Sequence, residues 1–307
     1  MSRLTFSNGA FARKLQVSNS KVFAFVEGGL DRPFADRLLR AESKGVWRYQ
    51  VIGAKELPGE TGGKPRLVRL YAWLRKKGML RFNAYSKESV CMIFLDKDID
   101  DLTRRGLRSD HVIYTESYDL EGDLFLNADL VAAVSDALGM TREQAGAFLG
   151  LPSTWIQAQV ERWADWATLC VISQARQVKV GASFDRMSAI NPDILGATDE
   201  AQLGEFKRKL KSELGCSGVR FSRMYDRYRK EILKCGSSEQ PLRLFKGKWL
   251  APILEKDASR RIGIPDISVQ LAGQKVLTAL VAQVGNSPTC TCCSRRRRQL
   301  TRLLGDV

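Results

Sequence analysis

Two stretches constrain this chain more than any others: "KVFAFVE" (21–27) and "SVCMIFLDKDIDD" (89–101). Each holds a short unbroken apolar run, Val22–Val26 and Val90–Leu95, bounded at once by turn or charged residues. Runs of that length read as strands buried on both faces, which belong in a parallel sheet covered by helices. Their endings are less ordinary. Glu27 closes the first and is followed by Gly28 and Gly29; Asp96, Asp98 and Asp100 close the second. A carboxylate at the end of a buried strand costs free energy unless a proton or a cation compensates it.

The segments between them keep the same rhythm. "RPFADRLLRAESKG" (32–45) predicts a helix with Pro33 near its start and Gly45 just past its end. "VWRYQVIGA" (46–54) alternates as a strand, and "RLVRLYAWLRKKG" (66–78) spaces its leucines as a helix with a basic outer face. "HVIYTESYDLEGD" (111–123) is a further strand that ends in acids, Asp119 and Glu121 among them. The expected fold class is therefore α/β, a parallel sheet flanked by helices over residues 1–123. Residues 124–285 read as a mostly helical region by periodicity, with a Gly-Lys pair at 247–248 opening a late helix. Residues 286–307 read as a tail carrying Cys290, Cys292, Cys293 and the block Arg295, Arg296, Arg297, Arg298.

Charge narrows the partners. The net +15 is divided as +9 over residues 1–100, −7 over 101–200 and +13 over 201–307. Basic flanks attract a polyanion, whereas an acidic middle repels one unless a metal fills it, so nucleic acid is the expected partner. Arg295 to Arg298 are expected to meet phosphate from a flexible tail. No apolar run is long enough to span a bilayer, and "MSRLTFSNGAFARKL" has no secretory-signal pattern. With seven scattered cysteines and one histidine, a reducing cytoplasm is the expected compartment.

In a parallel α/β sheet, ligands gather at the carboxyl ends of the strands. Glu27, Asp96 and Asp98, with Asp100 as an outer helper, are the expected ligands of Mg²⁺ or Mn²⁺, hard cations that prefer oxygen. Asp96, Asp98 and Asp100 are expected to share a face if the backbone stays extended. "GETGGKPR" (59–66) resembles a phosphate-cradling loop, but Pro58 stands where the nucleotide P-loop needs glycine and Pro65 where it needs Ser or Thr. ATP hydrolysis by this chain is not expected. His111 and the tryptophans at 155, 163 and 166 read as structural.

"FVEGGLDRPF", "CMIFLDKDIDD", "YTESYDLEGDLF" and the late "FKGKWL", in that order, resemble the TOPRIM fold. They are most similar to the TOPRIM nucleases of bacterial anti-phage systems of the PARIS type. The resemblance covers residues 20–125 and touches the remainder only at Gly247–Lys248. It implies a metal-dependent nuclease in which Glu27 binds metal and helps deprotonate the attacking water. Asp96 and Asp98 would hold Mg²⁺, Asp31 would support the turn, Glu121 would complete a second metal site, and Lys248 would stabilise charge on the phosphate. It further implies a toxic effector that cuts tRNA, forms a homodimer when active, and is restrained by a separately encoded ATPase. Two other readings compete. A haloacid-dehalogenase-like phosphatase would use Asp96-x-Asp98 with Thr115, although Asp100 stands where that family has Thr or Val. A non-catalytic binding module would use the basic last third to dock.

Overall fold

Strand β1 (Val22–Val26) is enclosed on every side, with all five residues buried. In the computed structural model, which describes residues 7–58, 63–85, 87–103, 105–235, 241–262, 266–284 and 294–305, it is an interior strand of a five-stranded sheet. β2 (Tyr49–Gly53) and β4 (Lys87–Leu95) pair with β1 in parallel. β4 also carries β3 (Arg81–Ala84) antiparallel beside its first half and β5 (Val112–Tyr114) parallel beside its second. The expected α/β class holds, with one correction: the sheet is mixed, because β3 returns on β4 as a hairpin. Its four residues, "RFNA", are half-buried or exposed and lack the apolar run that marks β1 and β4.

The chain divides into two units. The first comprises residues 1–96, 107–115 and 281–307, and contains the sheet. In it, α1 (Asn8–Val17), α2 (Asp31–Ser43) and α3 (Lys64–Lys76) supply helical cover. Period-two alternation sends Phe23, Phe25, Cys91, Ile93 and Leu95 to one face, where they meet Phe11 and Leu15 of α1 and Leu67, Leu70 and Leu74 of α3. Each large side chain so buried contributes about 1.5–3 kcal/mol. Helix α2 packs on β1 and β2. It ends, as Gly45 predicts, in a left-handed pair, Lys44 (φ 46°) and Gly45 (φ 80°).

The second unit comprises residues 97–106 and 116–280. It is helical, from the single turn α4 (Asp100–Thr103) through α5 (Leu120–Asn127), α6 (Leu130–Leu138), α7 (Arg142–Leu149), α8 (Pro152–Arg176), α9 (Glu200–Glu213), α10 (Gly218–Leu233) and α11 (Leu250–Ile262) into α12 (Asp266–Ala282). Trp155, Trp163 and Trp166 of α8 are buried, as their spacing predicts, and Trp155 Nε1 donates to Asp257 at 3.0 Å. α9 and α10 pack against α8. The expected boundary at residue 123 is thus displaced, and residues 107–115 and 281–307 belong with the sheet. Among the described residues no helix is long and apolar enough to cross a membrane.

The arginine block is not a flexible tail. It opens α13 (Ser294–Leu304) in the first unit. Arg296, Leu300 and Leu303, at i, i+4 and i+7, form its buried stripe. Arg296 lies 4.9 Å from the centre of the Phe34 ring of α2, and Arg297 pairs with Glu42 at 3.0 Å. Gln299 donates to the Asp110 and Val112 carbonyls. Cys290, Cys292 and Cys293 lie outside the described residues.

Candidate functional site

In the first unit the register carries two acids to one end of the sheet. Val22–Phe25 pair with Val90–Ile93, so Glu27 leaves β1 as Leu95 and Asp96 leave β4. β5 holds the other side of that end, where the Thr115 N–H donates to the Leu95 carbonyl at 3.1 Å. The turn after Glu27 is fixed by Asp31, whose Oδ2 accepts the Gly28 N–H at 2.7 Å. Burial raises the Asp31 carboxyl above its ordinary value, opposed by the Gly28 N–H and by the positive charge of Arg296. A Cβ on Gly28 would stand 3.0 Å from Asp31 Oδ2, so the turn has no room for a larger residue without shifting. Gly29 has open space instead, and packing does not require glycine there.

Sequence reasoning set aside a residue that belongs to this end of the sheet. Lys64 opens α3, and its Nζ donates to the Asp96 carbonyl at 2.6 Å, 5.9 Å from the Tyr114 ring centre. The preceding Gly63 holds φ 73°, and a Cβ there would lie 3.5 Å from Glu27 Oε1. Gly63 therefore runs against Glu27, and glycine there is dictated by the left-handed backbone. The first turn of α3 holds no acid, so the lysine and the helix N-terminus present the same sign of potential. The signal for it in the sequence is the Gly63-Lys64 pair, which a failed P-loop spacing obscures.

The other predicted acids belong to the second unit. Asp98 does not continue the strand: its φ is 47°, and its N–H donates to the Tyr118 carbonyl at 2.8 Å. Asp100 begins α4, with its N–H on the Lys97 carbonyl at 3.0 Å. The extended backbone on which Asp96, Asp98 and Asp100 would share one face is not present, because β4 stops at Leu95 and the chain turns at once.

Asp119, rather than Glu121, organises the next element. It is buried and caps α5, and its carboxylate accepts the N–H groups of Gly122 (2.9 Å), Gly247 (3.0 Å) and Lys248 (3.1 Å). Burial, with the nearby Glu121 charge next, pushes its carboxyl up to about 8 against those donors. A Cβ on Gly247 would fall 2.1 Å from the Gly122 nitrogen, so two backbones touch where "DLEGD" meets "FKGKW". The Gly-Lys pair thus meets Asp119 through its backbone N–H groups. The Lys248 side chain is exposed, and Glu121, in the first turn of α5, is half-buried. Asp123 is a scaffold acid that accepts the Glu116 and Ser117 N–H groups at 3.0 and 2.6 Å. His111 Nδ1 lies 2.8 Å from the Cys91 carbonyl, a structural use.

Among the described residues no three His, Cys, Asp or Glu side chains form a group able to hold a metal ion. Glu27 and Asp96 are two carboxylates that follow adjacent strands at one end of the sheet. Mg²⁺ commonly takes one or two carboxylates and fills its remaining positions with water and phosphate. No known family model matches the chain, and no curated protein does.

Proposed function

We propose that this chain is a metal-dependent nuclease of TOPRIM type that cleaves RNA, tRNA being the expected substrate. The observation that carries the proposal is the end of the sheet in the first unit. Glu27 and Asp96 leave adjacent parallel strands, and the Lys64 ammonium is held at the Asp96 backbone. A pair of hard-oxygen ligands with a lysine is the inventory phosphodiester hydrolysis needs.

Glu27 and Asp96 would hold the ion, and the resemblance adds Asp98, Asp100 and Glu121. When bound, Mg²⁺ supplies Lewis acidity and a more acidic water. The chain's own groups do the rest. Glu27 accepts the proton of the attacking water at its carboxylate. Asp31 keeps the Gly28 turn closed so that phosphate can approach the thin backbone. Lys64 Nζ donates to a non-bridging phosphate oxygen, and Lys248 takes the role the resemblance gives it at the leaving oxygen. In this proposal the protein works in the cytoplasm as a homodimeric anti-phage effector of PARIS type, restrained by a separately encoded ATPase.

The test uses purified wild type and Glu27→Gln with total RNA and plasmid DNA, with and without Mg²⁺. Wild type should cut a tRNA-sized band only with metal, and Glu27→Gln should lower the rate by about 10³-fold or more. Equal cleavage by the two proteins, or none by wild type, overturns the proposal. A phosphatase of haloacid-dehalogenase type would instead turn over p-nitrophenyl phosphate in both proteins.

A further inference from the structure

Helix α10 uses its two faces differently. Phe221, Tyr225 and Ile232 are buried, and the Tyr225 hydroxyl donates to Asp165 of α8. Arg229 joins that contact, with Nε 3.2 Å from Asp165 Oδ1. The helix's other three arginines face outward. With Arg176 from the end of α8, Arg220, Arg223 and Arg227 line a groove of about 320 Å³, and the half-buried Met224 and Tyr228 lie between them. Among the described residues none of these four arginines is in an ion pair, and no acid lines the groove. The acids α10 does carry are used elsewhere: Asp226 accepts from Ser222, and Glu231 pairs with Lys234.

Four guanidinium groups without counter-charges repel one another, and a solubility device would intersperse acids among them. Arg220 and Arg227 stand about 10 Å apart along the helix, a row able to meet about three successive phosphates of one strand. Guanidinium forks bind phosphate bidentately, and a tyrosine beside them offers a face on which an unstacked base can lie. We infer that this groove of the second unit is a binding site for the backbone of single-stranded RNA, the contact that the sequence had suggested for Arg295 to Arg298. The choice of RNA over DNA rests on the function proposed above; the groove and its charge do not.

Binding is measured by fluorescence anisotropy of a short labelled single-stranded RNA in EDTA, so that no cleavage occurs, across a salt series. The R220Q/R223Q/R227Q protein should bind at least about tenfold more weakly, and its log–log salt slope should shrink by about 2, near 0.7 per lost phosphate contact. The corresponding triple lysine variant should recover the slope, and R295Q/R298Q should match wild type. Cys216 lines the same groove and is half-exposed, whereas Cys91, Cys170 and Cys235 are buried. Saturating RNA should therefore slow Cys216 alkylation, read on its own peptide. Wild-type affinity and slope in the glutamine variant overturn the inference, as does unchanged Cys216 labelling. Tighter binding of DNA of the same sequence, or displacement of RNA by an equal charge of polyglutamate, overturns it too. If wild type binds through the groove but never cuts, the inference stands while the nuclease proposal falls.

Discussion

Lys64 shows how one side chain can be hidden by a rule that correctly fails. The P-loop spacing is absent, yet the lysine reaches the Asp96 carbonyl because α3 begins at that point. Replacing Lys64 with Met should lower cleavage by about 10²- to 10³-fold, the size of one lost oxyanion donor, with Arg recovering part of it. Single-turnover kinetics read the effect, and full activity in Lys64→Met removes the residue from the site. Glu27 and Asp96 were legible because apolar runs fix where the strands stop. The course of the chain after Asp96 was not, since nothing in "DKDID" announces a left-handed residue; aspartate is among the few side chains that tolerate φ 47°. Gly247 was noticed for its lysine neighbour, but its purpose is steric, a backbone contact with Gly122 that only coordinates disclose.

Among the elements, the junction of α8, α9 and α10 turns on Asp165. Burial raises its carboxyl, but the Tyr225 hydroxyl, Arg229 and Lys207 together outweigh that and hold it below the ordinary value. A carboxylate depressed in the folded state stabilises at pH above its unfolded pKa, about 4, and that stability is lost as pH falls through the folded value. Wild type should therefore melt above Asp165→Asn at neutral pH, and the gap should close as pH drops below about 4. Thermal scans across pH check this, and a constant gap in acid would refute it. β1, β2, β4 and β5 were readable from apolar runs and alternation. β3 was not, because a four-residue edge partner with a polar composition leaves little pattern to detect. In α13 the stripe of Arg296, Leu300 and Leu303 was present in the sequence, but four consecutive arginines drew attention to charge instead of periodicity.

For the molecule as a whole, the readings proposed above would give it two ligands of opposite charge, a cation at Glu27 and Asp96 and a polyanion at the groove arginines. A ligand that binds only the folded state raises its stability by about 2.7 kcal/mol at a hundredfold excess over Kd, a melting shift of roughly 5 °C at this size. Mg²⁺ or Mn²⁺ should produce such a shift in wild type and not in E27Q, as differential scanning fluorimetry would read. Equal shifts in both would place the ion elsewhere. The division into two units also bears on biosynthesis. The sheet unit is assembled from three separated segments, and α13 caps it by covering Phe34 with Arg296 and by burying Leu300 and Leu303. A ribosome works from one end to the other, so α2 emerges long before the helix that shields it. Until residue 304 has left the exit tunnel, that apolar flank stays open to water and to chaperones. Any catalytic power seated on the sheet would then be withheld from the nascent polypeptide and would mature only after α13 had been made.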